Sequence, residues 1–287
     1  MPAPQRTVLI TGCTDGGIGA ALAAEYHSRG LRVFATSRRV ETMKGLEELG
    51  IETLALDITK LDSIRNARDV VSARTTGKLD ILVNNAGKMH ESSIIDADMT
   101  EVRELFELNL FGHISMVKEF MPLLMAGRNA CIVNIGSGGG LLPIPMQAPY
   151  NATKAALHSF SDTLRIELEP FGIKVAVTGG VKSNILTPAR FPESSLYKSM
   201  EEVANVRHVN IQKNSMPAEK YARQLVAETI RSSPPNYSWG GGQSGIVWFL
   251  TSFFPRWVPE KAIKDMYGFT KFSAQVRKEK LENLKHT

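Results

Sequence analysis

Six short apolar runs spaced along the first two-thirds of the chain constrain its fold more than any other feature. They are TVLIT (7–11), LRVFAT (31–36), IETLAL (51–56), LDILVN (79–84), ACIVNI (130–135) and IKVAVT (173–178). Each is short enough for a strand, and each is separated from the next by a stretch that reads as helix, such as 18–29 with Ile18, Leu22 and Tyr26 at helical spacing before Gly30. Runs that are apolar on both faces need cover on both faces, and the intervening helices supply it through parallel crossovers. The expected architecture is α/β, a doubly wound parallel sheet with helices on both faces. The 287 residues, 43% of them apolar, suit one such domain over 1–287. No internal repeat or Pro/Gly/Ser-rich linker divides it. After 183 the pattern weakens: 184–216 reads as an irregular insert, 217–231 as a helix, Tyr237–Trp239 as a last strand, and 240–287 as an apolar C-terminal extension with Ser244 capping a short helix.

The first strand runs into ITGCTDGGIGA (10–20). A glycine-rich turn between a strand and a helix lets backbone approach a pyrophosphate, while the helix N-terminus offers free N–H groups. This makes the sheet a Rossmann-type one. Gly12 is placed to make the turn, Gly17 and Gly19 to admit the phosphates, and Ile18 to start the helix. The loop is one residue longer than the commonest version, and the extra residue falls among Cys13, Thr14, Asp15 and Gly16. The second strand ends in ATSRR, with no carboxylate before Glu41 to accept from a ribose 2′-hydroxyl. Arg38 and Arg39 instead suit a 2′-phosphate, so the expected cofactor is NADPH/NADP+, with Thr14 and Asp15 sharing that region.

Further along, YNATK places Tyr150 and Lys154 on one helix face, and Ser137 follows the fifth strand, thirteen residues before Tyr150. Asn109 lies in ELNLFG and NNAG spans 84–87 after the fourth strand. In this order and with these placements, the residues resemble the short-chain dehydrogenase/reductase family over about residues 6–240. The resemblance implies that Tyr150 is the general acid for a carbonyl oxygen and that Lys154 lowers its pKa and holds the nicotinamide ribose. It also implies that Ser137 binds the carbonyl oxygen and that Asn109 holds a water leading from Lys154 to solvent. A phenol of pKa ~10 needs such help to work near neutrality. By the same resemblance Asp57 and Ile58 contact the adenine side, and Asn85, Ala86 and Gly87 support the cofactor. Val181 and Ser183 meet the carboxamide, although TGGVKS departs from the usual Pro-Gly-x-Val-x-Thr by having Thr178 for the proline and Ser183 for the threonine. VTGGV (177–181), the GGIG doublet and the greasy extension are similar to a fungal-type subgroup around NADPH-dependent 1-acyldihydroxyacetone-phosphate reductase, whose substrates are lipid-like ketones.

The substrate wall is expected from Leu141, Leu142 and Met146 in SGGGLLPIPMQAP, beside Ser137 and Tyr150. These are apolar and uncharged, which suits a hydrophobic ketone. Lys182 and Arg190 are the nearby cations for a phosphate head group. The aromatic segment 245–258, with Arg256, Lys261 and Lys264 beside it, fits pocket closure, self-association or peripheral contact with endoplasmic reticulum or lipid droplet. The resemblance implies a homo-oligomer. A net charge of +5 without a basic stripe argues against nucleic acid, and Cys13 and Cys131 form neither a disulfide framework nor a metal set. His113 and His158 read as core or interface residues. With no signal-peptide pattern, the expected location is cytoplasmic. The function expected is reduction of a ketone to a secondary alcohol. A redox-neutral cyclase or isomerase, or a binding protein on the same scaffold, are the alternatives.

Overall fold

The structure is a computed structural model that describes residues 5–178, 190–214, 216–241 and 244–285. Seven strands form one sheet in the order β3-β2-β1-β4-β5-β6-β7, and every neighbouring pair is parallel. β1 (Thr7–Thr11), β2 (Arg32–Ser37) and β3 (Glu52–Ala55) step outward to one side, while β4 (Ile81–Asn84), β5 (Cys131–Ile135), β6 (Lys174–Thr178) and β7 (Tyr237–Ser238) step to the other. The chain therefore reverses direction across the sheet between β1 and β4. In folds of this type ligands sit in the crevice outside the carboxyl ends of the strands at that point.

Alternation along each strand divides the core. Val8 and Ile10 of β1, Ile81 and Val83 of β4, and Val133 of β5 pack with Leu22 and Tyr26 of α1 (Ile18–Ser28) and with Tyr221 and Leu225 of a later helix, Ala218–Thr229. Leu9, Leu82 and Ile132 face the other way, toward α3 (Leu61–Thr75), the Gly112–Met125 helix with Phe120, and the Ala148–Leu168 helix with Leu164. Burying a large side chain such as Phe34 or Phe120 completely contributes about 1.5–3 kcal/mol. Two-sided apolar strands are thus what this packing requires.

Between β2 and β3 lies the short α2 (Lys44–Glu48), and before the Gly112 helix lies α4 (Met99–Phe106), whose N-terminus Asp98 caps by accepting from the Thr100 N–H at 2.7 Å. A π-helical turn over Glu107–Phe111 joins α4 to the Gly112–Met125 helix, α5. The Ala148–Leu168 helix is α6. The 184–216 segment is not irregular throughout: α7 spans Glu201–Asn214. Its polar sequence lacks the clean apolar stripe that would have announced it. The helix expected over 217–231 is Ala218–Thr229, α8. The extension folds as α9 (Ser244–Phe253), α10 (Trp257–Met266) and α11 (Phe269–Lys285). Ser244 is the first residue of α9, and its hydroxyl donates to the Trp239 and Gly241 carbonyls at 2.6 and 3.0 Å, which bends the chain back. Phe269 and Phe272 of α11 pack on a third cluster made by Met146, Phe191, Met200 and Ala204.

Candidate active site

The turn after β1 is built by contacts that leave little room for side chains. Gly12 has φ +74°, and a Cβ there would come within 2.8 Å of the Ala86 Cα. Close approach at Gly19 is tighter, because an added Cβ would lie 2.4 Å from the Gly12 carbonyl oxygen and 2.7 Å from Asn85 Nδ2. Gly19 therefore lets α1 pack against the β1 and β4 ends. It does not line the cavity at the end of the sheet.

Asp15 is likewise turned elsewhere. Its N–H donates to the Thr42 carbonyl at 2.8 Å, and its carboxylate accepts from the Gly45 N–H at 3.1 Å at the start of α2. Asp15 thus anchors the turn to the segment after β2. Asp15 is not among the residues lining that cavity.

Thr11, at the end of β1, joins the two halves of the crevice. Its hydroxyl accepts from the N–H groups of Asn85 and Ala86, both at 2.9 Å, and Asn85 Nδ2 returns bonds to the Thr11 and Gly12 carbonyls at 2.8 and 3.0 Å. Below this loop His113 Nε2 lies 2.7 Å from the Ala86 carbonyl, and burial keeps the ring neutral with its pKa down to about 3. The sequence reading gave Thr11 no role beyond its strand. A hydroxyl closing an otherwise apolar run was the available signal.

A cavity of about 970 Å³ opens at the carboxyl ends of β1, β4 and β5. At one end it is lined by Gly12, Thr14, Gly17, Ile18, Arg38, Asp57 and Ile58, and in the middle by Asn85, Ala86 and Gly87. Arg39 does not line it; its carbonyl accepts from the Thr42 hydroxyl at 2.7 Å in the adjoining turn. Asp57 holds Thr59 through Oδ1, at 3.0 Å to the N–H and 2.7 Å to the hydroxyl. Val181 and Ser183 lie outside the described residues, as does Lys182.

Ser137, Tyr150 and Lys154 meet at the other end of the cavity. α6 carries Tyr150, Lys154 and His158 one turn apart on a single face. Lys154 is buried and donates from Nζ to the Ile135 carbonyl at 2.8 Å, and burial lowers its pKa to about 8. Tyr150 is buried as well. Desolvation raises its pKa, and the hydrogen bond from Ser137 only partly offsets this. The expected lowering by Lys154 is absent, because the ammonium sits 6.0 Å from the ring centroid and is turned to the β5 carbonyl. Burial wins, and the phenol is held in its protonated form. His158, read from the sequence as core, also lines this end. Its Nε2 accepts from the Ser137 N–H at 3.3 Å, and burial together with the Lys154 charge brings its pKa to about 4.

Asn109 sits in the π-helical turn, a local distortion that often marks functional sites. Its Oδ1 accepts from the Lys88 N–H at 2.9 Å, and its Nδ2 donates to the Lys88 carbonyl at 2.8 Å and to Thr153 Oγ1 at 3.3 Å. Thr153 in turn donates to the Tyr150 carbonyl at 2.7 Å. Both ends of the amide are thus occupied by protein, tying the β4 loop to the turn of α6 that carries Tyr150 and Lys154. Asn109 is not among the cavity-lining residues.

Leu141, Leu142 and Ile144 line the apolar part, together with Val203 and Val206 of α7 and Val247, Ile263 and Tyr267 of the extension. Met146 belongs instead to the third core cluster, where its φ of +62° helps turn the chain into α6. Arg190 is exposed. No helix among the described residues is long and apolar enough to cross a membrane.

A glycine turn at the switch point of a parallel sheet, leading to Ser137 beside the buried Tyr150 and Lys154, defines a nicotinamide-dinucleotide oxidoreductase acting on CH–OH or C=O groups. The comparisons agree. The family model described as short chain dehydrogenase matches residues 6–192. The short-chain dehydrogenase RED1 of Pyricularia oryzae is 40% identical over 262 residues, covering 89% of this chain and 92% of that protein. A short-chain dehydrogenase from Streptomyces avermitilis superposes with a TM-score of 0.74 at 26% identity, over 98% of this chain and 97% of its own. A 3-ketoacyl-(acyl-carrier-protein) reductase from Brucella melitensis, complexed with NADH, gives a TM-score of 0.58 at 29% identity over 62% of this chain and 76% of its own. The chain belongs to the short-chain dehydrogenase family.

Proposed function

We propose that the chain is an NADPH-dependent ketoreductase that reduces a hydrophobic ketone, lipid-like or of secondary metabolism, to a secondary alcohol. The observation that carries the reading is one cavity with Arg38 and Asp57 at one end, Ser137, Tyr150 and Lys154 at the other, and an apolar wall beside them.

The residues fit a dinucleotide. Gly17 precedes α1 without a side-chain cap, so the first N–H groups of that helix are left for a ligand, and Gly17 and Ile18 line the cavity. Arg38, exposed at the end of β2, suits a 2′-phosphate, and among the described residues lining that end there is no other cation. The NADH in the Brucella relative marks how far likeness alone leaves this choice open. When bound, the cofactor supplies the hydride for the carbonyl carbon.

Tyr150 supplies the proton to the carbonyl oxygen. Its raised pKa suits this direction, because reduction needs a phenol and oxidation a phenolate. Ser137 donates to the same oxygen and stabilises the charge that develops there. Lys154, whose ammonium is turned to the Ile135 carbonyl, holds the ribose of the bound cofactor. Asn109 and His158 position these groups, the first through Lys88 and Thr153 and the second through the Ser137 N–H.

Tyr150→Phe tests the assignment with purified protein and a ketone panel. Reduction is expected to fall by about a hundredfold to ten-thousandfold, with NADPH binding nearly unchanged. Product formation at the original rate would refute the acid role.

A further inference from the structure

The apolar part of the cavity contains one charged group that the reading above does not use. Arg207 of α7 lines the cavity, yet it is only 8% exposed. Its guanidinium lies 3.5 Å from the centroid of the Tyr267 ring, and Nη2 donates to Glu91 Oε1 at 3.0 Å. Its Nε is buried and has no hydrogen-bond partner. Glu91 is buried too and also receives a hydrogen bond from Gln147, another cavity-lining residue; desolvation nevertheless raises its pKa. Four separate segments therefore meet at this point: the loop after β4, the loop before α6, α7, and the end of α10.

An ion pair that only braced these segments would have no use for a donor buried without a partner in a side chain that lines the cavity, because such a donor weakens the fold. We propose that Arg207 is a recognition point for a second, neutral oxygen of the substrate. The ketone reduced at Tyr150 then carries a carbonyl, ester or ether oxygen elsewhere on an apolar body. This rests on the ketoreductase reading and narrows its substrate class.

Charge decides between a neutral and an anionic group. Among the described residues lining the cavity, the cations are Arg38 at the adenosine end, Lys154 at the reacting end, and Arg207. Arg207 is already neutralised by Glu91, and Glu202 lines the same region. A phosphate or carboxylate placed there would meet the Glu91 carboxylate and be desolvated without a free counter-charge. A neutral acceptor takes a hydrogen bond from a charged donor and meets no such repulsion. The described part of this wall thus turns away from phosphate-headed ketones.

The test compares the wild-type enzyme with Arg207→Met and Arg207→Lys. The probes are a long-chain methyl ketone, diketones of the same length with the second carbonyl at successive positions, and a keto acid of the same length. In the wild type the best diketone is expected to exceed the methyl ketone in kcat/KM by about tenfold to a hundredfold, the range for one hydrogen bond to a charged group. The keto acid should show no such gain. In Arg207→Met the ratio should fall to near unity, with the loss in the diketone's KM rather than in kcat, and Arg207→Lys should keep part of it. A brace alone would lower diketone and methyl ketone together and leave their ratio unchanged, and that result overturns the proposal. So does a wild type with no positional preference, or one that favours the keto acid. If Arg207→Met does not fold, the positional series in the wild type and the Lys variant decide. If none of the ketones is reduced, the ketoreductase reading falls. Binding of the same panel, followed by quenching of NADPH fluorescence, then judges Arg207 separately: equal affinity for diketone and methyl ketone would overturn it.

Discussion

Replacing Thr11 by valine separates the oxygen of that side chain from its shape. Valine keeps the β-branch and nearly the volume of threonine in a fully buried strand position, so packing and strand preference change little. What is lost is the acceptor for two N–H groups, those of Asn85 and Ala86, each at 2.9 Å. A buried donor left unsatisfied costs about 1–3 kcal/mol, and half-buried residues facing a cavity belong at the lower end, giving about 2 kcal/mol in all. For a chain of 287 residues that is a fall of roughly 3 °C in Tm. Urea unfolding should show the midpoint falling at constant m. The same two bonds fix the Asn85–Gly87 loop in the crevice, so NADPH affinity should weaken by about tenfold alongside. Thr11→Ser keeps the oxygen and removes one buried methyl, at about 1 kcal/mol, and should leave NADPH affinity within twofold. If valine is as stable as threonine, or serine weakens NADPH binding more than valine does, the hydroxyl is not the clamp of the Asn85–Gly87 loop.

Arg38→Ala should raise the KM for NADPH at least tenfold (about 1.4 kcal/mol) with NADH little changed, whereas Arg39→Ala should leave both within about twofold, because only Arg38 lines the cavity; equal effects of the two substitutions, measured with both coenzymes, would count against this. Asp15→Ala should cost about 0.5–1 kcal/mol in urea unfolding through the Gly45 bond and leave the NADPH/NADH ratio unmoved; a changed ratio would return Asp15 to the phosphate site. Lys154 has its pKa lowered by burial to about 8, so it is charged at neutral pH and loses its proton above that value. The kcat/KM for reduction should therefore hold steady near neutrality and fall about tenfold per pH unit beyond about pH 8, and a flat profile up to about pH 10 would refute the assignment.

The parts legible in the sequence are those that local rules dictate. Two-sided apolar strands such as Thr7–Thr11 and Cys131–Ile135 could pack only in a covered parallel sheet, and the six runs appear within one or two residues of their expected bounds. Tyr150 and Lys154 could be placed on one face because helical spacing is fixed. The fates of Asp15, Gly19 and Arg39 were not legible, because each depends on which neighbour the folded chain brings up. Asp15 finds the start of α2, Gly19 finds the Gly12 carbonyl, and Arg39 is exposed and does not line the cavity. The proton affinity of Tyr150 depends on burial and on where the Lys154 ammonium points, and neither is a property of spacing.

The C-terminal extension shows the same limit in another form. Read as one apolar segment, 245–258 offered closure, self-association and membrane contact as rival roles for a single unit. The fold divides the segment residue by residue. Ser244 and Val247 of α9, with Ile263 and Tyr267 further on, line the cavity, while Ile246, Phe249, Phe253 and Trp257 stay exposed. A helix whose residues are apolar all round cannot reveal which side is used, since both sides carry the same signal. The hydroxyl of Ser244 bonds back to Trp239 and Gly241 where α9 begins. Which apolar residues of the extension line the pocket and which face outward is therefore settled by tertiary packing, to which composition and spacing carry no pointer.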